Sequence, residues 1–223
     1  KIKLNKIFTF YLIFFLICTQ GLLGWYMVKS GLTERTDVSQ YRLSAHLTLA
    51  FIIYIFLTFK YFQSINLKNL NYGKKLPFAL PLIFAFLILA QISVGAFVSG
   101  LDAGQIYQTW PLMNKSYFPD DLTLDLFKNS EIFSIESFVQ FVHRNIAYLI
   151  FFILITLGAQ IIKSKRNQLI KHYFYLFLIV LIQIFLGIYT LLSDLTIVAA
   201  SLHQISSIFL LIFSLNLYHR SIR

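Results

Sequence analysis

The sequence predicts an all-α membrane protein with six transmembrane helices. Hydrophobic residues make up 58% of the 223 residues, and only 13% are charged. A soluble domain of this size needs a larger charged surface. The apolar residues fall into six segments, each close to the ~20 residues that span a bilayer core. Backbone polar groups in lipid must be satisfied within their own segment, and the alternation of a membrane barrel is absent, so helices are predicted.

The six spans follow one another along the whole chain. The first comes after three lysines, as in a signal peptide, but it is too long for one and no A-x-A-like cleavage site follows it. Arg144 is the only charged residue inside any of the six. The predicted spans are residues 7–28, 43–59, 81–98, 138–162, 173–192 and 197–218.

Charge alternates between the connections of these helices. The two ends of the chain and residues 60–76 and 163–172 hold most of the 19 lysines and arginines and no acid. Residues 29–42, 99–137 and 193–196 hold all nine acids. By the positive-inside rule, both termini of this chain are expected to be cytoplasmic. The net charge of +10 is therefore attributed to topology, with membrane lipid as the partner, and no nucleic-acid partner is expected.

Three histidines lie at matching depth in three alternate helices. His46, His143 and His203 each lie one to two turns inside the acid-bearing end of a span. Polar side chains in a span are costly, so three at one depth favour a function over local bonds to helix backbone. A zinc site needs three or four converging ligands, and no acid lies within the spans. Haem iron needs only one or two axial ligands, so these histidines are candidate metal ligands of haem.

Neighbouring residues fit a porphyrin. Four small residues surround His203 on its helix and leave room for a ring, although close helix packing also explains them. Arg144 can bind a carboxylate with both arms of its guanidinium. Alternatively, the Arg144 side chain extends to the lipid headgroups or forms an ion pair with Glu136. The small residues are Ala199, Ala200, Ser206 and Ser207.

Other polar residues receive no role in this site. His172 and His219 are interpreted as anchors at the cytoplasmic interface. Cys18 is the single cysteine, so it forms neither a disulfide nor a thiolate metal site, and a small buried residue is expected. The connection 99–137 is long enough to cap a site, and Asp102 within it is expected to bond backbone amides in a turn.

Glutamine and glycine recur at one spacing in the other three helices. The repeated pairs are Gln20-x-x-x-Gly24, Gln91-x-x-x-Gly95 and Gln183-x-x-x-Gly187. A histidine-bearing helix follows each pair, so the repeating unit is a helical hairpin. Three such hairpins are present, whereas haem-binding hairpins would act in pairs.

We therefore expect one complete four-helix haem-binding bundle and half of a second. The chain begins with Lys1 instead of Met, and one hairpin is expected to lie upstream. Residues 1–63 would then be the second half of an N-terminal repeat. Residues 64–80 would be a cytoplasmic linker, and residues 81–223 a complete C-terminal repeat.

Several strings of the sequence resemble the haem A synthases. The resemblance covers nearly the whole chain in order, and the strings in loops are the most specific. Within the family, the chain is most similar to the branch found in mitochondria and many bacteria, whose members lack a cysteine pair in an outer loop. This chain resembles helices three to eight of the eight in that family. The strings are residues 20–32, 38–47, 95–104, 109–113, 140–144 and 186–192, followed by His203 and Gln204.

The resemblance implies a reaction and a set of ligands. Haem A synthases oxidise a methyl group of haem O to the formyl group of haem A for cytochrome oxidase. By resemblance, His143 and His203 are axial ligands of an electron-carrying haem b, with Arg144 and Gln140 beside it. His46 is implied as the catalytic ligand of the substrate haem. Gln140 stands where the N-terminal half carries a glutamate.

The resemblance also implies a location and partners. It predicts a multi-pass inner-membrane protein with haem sites near the periplasmic side. Its partners would be haem O, haem A, haem O synthase or assembly factors of cytochrome oxidase, and further copies of the chain. The chain alone is expected to be incomplete as a catalyst. Two alternatives stay open: a bis-histidine membrane cytochrome that only carries electrons, and a haem-binding assembly protein without chemistry.

Overall fold

A computed structural model describes residues 4–31, 38–65, 76, 79–128 and 131–222. Within these residues the chain is helical and contains no β-strand. All six long helices are long and apolar enough to cross a membrane. The predicted all-α fold with six spans is therefore confirmed, and the chain is a multi-pass membrane protein. The helices are α1 (Leu4–Gly31), α2 (Gln40–Ser64), α3 (Ala79–Gly100), α4 (Glu136–Lys163), α5 (Asn167–Leu192) and α6 (Ile197–Ser221).

The helices extend beyond the predicted apolar segments. The largest difference is at α5, which begins at Asn167, whereas the apolar pattern begins at residue 173. Hydropathy identifies only the part of a helix that lies in lipid. Polar residues in the first turns of α5 keep the helical hydrogen bonds outside that zone, so helix ends are the least predictable part of a span.

Four helices close into a bundle. α3 contacts α4, α4 contacts α5, α5 contacts α6, and α6 contacts α3. α4 and α6 therefore lie on a diagonal, as do α3 and α5. α2 packs outside this ring against α3 and α6, and α1 packs against α2. The division at residues 64–80 stays a prediction, because most of that linker lies outside the described residues.

The apolar core occupies one half of the bundle. We call the end with the connection 101–135 the loop end, and the end with the α4–α5 connection the turn end. The core lies towards the turn end, whereas His143 and His203 lie near the loop end, beyond the closely packed side chains. Fully buried core residues include Ile88, Leu154, Leu157, Leu176 and Leu211.

The turn end is closed by polar contacts. The Arg166 guanidinium donates to the backbone carbonyls of Ser221 at 2.6 Å and Arg220 at 3.3 Å. These carbonyls belong to the last turn of α6, where no further helical amide is available to them. Arg166, which precedes α5, therefore fixes the end of α6 against the start of α5.

Three expectations about single residues are wrong. His219 is only 3% exposed and stacks on Phe62 with ring centroids 5.4 Å apart, so it is no interfacial anchor. Cys18 is exposed, because α1 packs mainly against α2. Asp102 does adopt a left-handed turn with φ 50°, but its side chain caps no helix.

Candidate functional site

The glutamine of one helix holds the histidine of the next in two hairpins. In the first hairpin, the Gln20 amide nitrogen lies 3.2 Å from His46 Nε2 and donates to the His46 carbonyl at 3.1 Å. In the second, the Gln91 amide nitrogen lies 3.2 Å from His143 Nε2 and donates to the His143 carbonyl at 3.0 Å. Two separate parts of the chain thus build the same contact.

The glycine of each repeat lies against the imidazole edge. Residues four apart share one face of a helix, so glutamine and glycine face the same histidine. A Cβ on the glycine would stand within van der Waals contact of the ring and displace it. The distance from such a Cβ to imidazole Cε1 would be 2.9 Å for Gly24 and His46, 3.1 Å for Gly95 and His143, and 3.1 Å for Gly187 and His203.

The third hairpin repeats part of this arrangement. Gln183 is buried, with 8% of its surface exposed, and its backbone lies beside His203. Gly187 completes the pair one turn later. All three histidines predicted from their depth therefore lie against the glycine of the preceding helix, and in the first two hairpins a glutamine amide also contacts the ring. The sequence repeat indicated this partnership without assigning a role.

Each histidine also carries a buried ring nitrogen without a partner. Nδ1 of His46, His143 and His203 makes no hydrogen bond in the described part of the chain. Buried polar atoms are nearly always satisfied, so a repeated exception indicates a ligand or function. The described residues contain no cluster of three or more His, Cys, Asp or Glu. Imidazoles in this setting fit a group such as haem, which takes one or two axial ligands.

The bundle brings two of the three histidines together. His143 on α4 and His203 on α6 lie on the diagonal of the closed ring, at the loop end. They are close enough that a charge on one ring would act on the other. His46 belongs to α2, which packs on the outside of this ring. The geometry therefore offers a pair of imidazoles in the bundle and a separate single imidazole in the first hairpin.

Comparison with known proteins identifies the family. The COX15-CtaA family, described as "Cytochrome oxidase assembly protein", matches residues 1–215. The chain belongs to this family. The match includes all three hairpins, and the resemblance drawn from the sequence strings is confirmed.

Individual COX15-CtaA relatives carry a common name. A protein named "Heme A synthase" from Pelagibacter ubique (strain HTCC1062) is 46% identical over 202 residues, covering 91% of this chain and 59% of the relative. Proteins of the same name from Rickettsia bellii (strain RML369-C) and Rickettsia felis (strain ATCC VR-1525 / URRWXCal2) are 41% and 37% identical, each covering 94% of this chain and 63% of the relative. The chain spans about three fifths of the length of these curated relatives.

In this COX15-CtaA member, Arg144 and Gln140 hold the long loop. The Arg144 guanidinium donates to the carbonyls of Tyr107 at 2.8 Å and Leu112 at 3.3 Å. The Gln140 amide donates to the same Tyr107 carbonyl at 3.0 Å. No ion pair with Glu136 is formed, since the single ion pair found among described residues joins Lys128 and Asp125. Contact of Arg144 and Gln140 with a haem stays a prediction.

Further bonds tie this loop over the loop end of the bundle. The Tyr107 hydroxyl donates to Asp121 Oδ1 at 2.6 Å, and the Gln108 amide donates to Asp194 Oδ1 at 2.7 Å. Asp194 lies in the α5–α6 connection, so the loop joins α4 to that connection. Burial raises the pKa of the Tyr107 hydroxyl, and the neighbouring Asp121 carboxylate raises this pKa further.

Tyr107 is not among the site residues predicted from the sequence. Its main contribution is a backbone carbonyl that receives donors from Arg144 and Gln140. Every residue has such a carbonyl, so no residue pattern marks this one. A weak signal was the length of the loop, which indicated a cap without identifying its points of attachment.

Proposed function

We propose that this protein acts as a haem A synthase, an oxidoreductase that converts the methyl group of haem O into the formyl group of haem A. Membership of the COX15-CtaA family supports this activity, as does the name of relatives with up to 46% identity. Haem A made in this way would serve the assembly of cytochrome oxidase.

The α3–α6 bundle is proposed to hold haem b between His143 and His203. The observation that carries this proposal is the diagonal placement of two half-buried imidazoles in a closed ring of helices, each with a buried Nδ1 that lacks a partner. A bound haem would supply an iron that takes up and releases one electron at a time. His143 and His203 would hold this haem and leave no open position for other ligands.

Arg144 and Gln140 are proposed to lie beside the edge of this haem. Arg144 uses two of its nitrogens for loop carbonyls and still carries a positive charge near the loop end. That charge would favour the haem carboxylates, while the loop bonds hold the guanidinium in place.

His46 is proposed as a ligand of the substrate haem. It has the same Gln–Gly support as His143 but belongs to the α1–α2 hairpin outside the bundle. His46 would bind and orient haem O, the proposed substrate, and the same ligand would hold haem A until release. Separation of the two sites would let one haem carry electrons while the other is the reactant.

The orientation follows from charge. Most lysines and arginines belong to the termini and to the connections 60–76 and 163–172, whereas all nine acids belong to the other connections. We therefore propose that the turn end and both termini of this chain face the cytoplasm of a bacterial inner membrane. The haem sites at the loop end would then lie near the periplasm. Membrane lipid, haem O synthase or oxidase assembly factors, and further copies of the chain are the proposed partners.

A product assay tests the activity. The chain is joined to the portion of the Pelagibacter ubique relative that lies outside the match, supplied with haem O, and its haems are separated by chromatography. We expect haem A from this protein and none from its His46→Ala variant, while the variant keeps a b-type spectrum. Binding of haem O without any formyl product would contradict the proposal and favour an electron carrier or an assembly protein.

A further inference from the structure

We propose that Gln91 and Gln20 are positioning residues that fix the rotation of the His143 and His46 imidazoles. Gln183 takes the corresponding place beside His203. Because the amide donates to Nε2, the ring nitrogen left for a haem iron is Nδ1, and Gln91 and Gln20 would set the electronic state of that iron through the orientation of the ring. The last step rests on the proposed function, whereas the positioning itself concerns contacts within this chain.

A two-point contact carries this inference. An amide nitrogen has two hydrogens, and that of Gln91 reaches both the carbonyl of His143 at 3.0 Å and its ring Nε2 at 3.2 Å. The carbonyl bond fixes the amide relative to the α4 backbone, and the ring contact then defines the imidazole rotation. The χ2 angle of histidine is otherwise broad, so this constraint removes real freedom.

Glycine completes the support from the same helix. Gly95 lies one turn after Gln91, and a Cβ there would come within 3.1 Å of His143 Cε1. The His143 imidazole therefore contacts the side-chain amide of Gln91 and, one turn later on α3, the backbone of Gly95. Both supports belong to the hairpin that carries the histidine, so ring orientation is set before two hairpins meet.

The internal repeat supports a specific role for the pair. The three residues between glutamine and glycine are Gly-Leu-Leu in α1, Ile-Ser-Val in α3 and Ile-Phe-Leu in α5, and none of these positions is the same in all three helices. Only the glutamine and the glycine are common to all three. A glutamine that merely joined two helices would need its carbonyl bond alone and would leave the ring free.

Substitution of Gln91 separates positioning from helix packing. Gln91→Leu keeps a similar volume and removes both amide contacts. Its control is Gln204→Leu, because Gln204 is exposed and follows His203 directly. With haem b added to the purified chain, we expect Gln91→Leu to bind haem about two- to tenfold more weakly, as for one lost hydrogen bond. The low-spin ferric EPR signal and the reduction potential should also shift, with neither changed in Gln204→Leu.

A haem-independent measurement decides the same question. The chain has five histidines, and their 15N-labelled rings can be assigned by single substitutions. Without added haem, Gln91→Leu should change the ring nitrogen shifts of His143 and leave those of His172 as they are. Gln20→Leu should do the same for His46.

The outcomes are distinct. Unchanged His143 nitrogen shifts in Gln91→Leu, or an EPR signal and potential equal to those of wild type, would overturn the positioning role. A wild-type chain that binds no haem b would refute the proposed function, and the nitrogen shifts would still support or overturn the positioning role.

Discussion

The first hairpin and the α3–α6 bundle use one local construction in different surroundings. Gln20 holds His46 as Gln91 holds His143, with nearly equal distances. However, only 6% of the apolar span of α1 is buried, against 28% in α4 and in α5. The hairpin alone therefore determines the orientation of one imidazole, whereas the packing of two hairpins into a closed bundle brings two imidazoles near each other.

The loop marks a second difference. The connection of the α3–α4 hairpin covers residues 101–135 and is attached to Arg144, Gln140 and the α5–α6 connection. The connection of the first hairpin, residues 32–39, is far shorter. Among the described residues, the bundle alone carries a long loop over its loop end, and such a cap would suit the proposed haem b, which would remain bound, better than the proposed substrate haem, which would enter and leave.

The comparison is tested most strongly by removing the histidines. His143→Ala or His203→Ala should abolish the low-spin b-type spectrum of the purified chain with haem b, because one axial ligand is lost from a shared pair. His46→Ala should retain the full spectrum, since this residue lies outside the bundle. Absorbance spectra and haem-to-protein ratios measure the result, and a spectrum that survives both bundle substitutions would reject the assignment.

Glycine substitutions should have the next largest effect. Gly95→Ala puts a Cβ against the His143 ring, and overpacking of this kind costs about 1–3 kcal/mol. Haem b affinity should fall accordingly, as measured by titration. Gly21→Ala is the matched control, because a Cβ at Gly21 meets nothing within 4 Å. Equal losses of haem affinity in both variants would mean that the substitution at Gly95 acts through a general effect on the helix and not through contact with the His143 imidazole.

The loop attachment should have a local effect. Arg144→Gln removes charge-assisted bonds to the Tyr107 and Leu112 carbonyls, each typically worth ~1.5–3 kcal/mol. Amide exchange in residues 105–113 should become faster, while exchange in the α5–α6 core stays slow. Lys128→Gln breaks an ion pair whose side chains are 83% and 91% exposed and should change nothing measurable. Exchange in residues 105–113 as slow as in wild type would show that other contacts hold the loop.

The smallest expected effect is a pH dependence of the same loop. Because the pKa of Tyr107 is raised above its ordinary value of 10.0 in the folded loop, the detached loop loses this proton first. The attached loop should therefore lose stability as the pH rises above 10 and show no such change at neutral pH.

Trp110 fluorescence in a Trp25→Phe background reports this change, since the protein has two tryptophans. Asp121→Asn removes the charge that contributes to the raised pKa and should make the pH dependence shallower. A dependence that is equally steep in Asp121→Asn would exclude the carboxylate as a cause.

Much of the architecture could be predicted because lipid is a demanding solvent. The six spans, the depth of His46, His143 and His203, and the Gln–Gly repeat are all properties of hydropathy and helical spacing. His219 illustrates the limit. Its position beside Arg220 at a helix end indicated an interface, yet the packing of α2 against α6 buries it on Phe62.

The sequence by itself determined the fold class, the spans and the three imidazoles, since each depends on residues that are near neighbours along one helix. Tertiary structure decided which imidazoles lie near each other and which loop carbonyls Arg144 and Gln140 bind. Closure of the α3–α6 bundle depends on contacts between helices that are distant in sequence. The group that accepts hydrogen bonds from Arg144 and Gln140 is the backbone carbonyl of Tyr107. A carbonyl is common to all residues, so only its position in space distinguishes it.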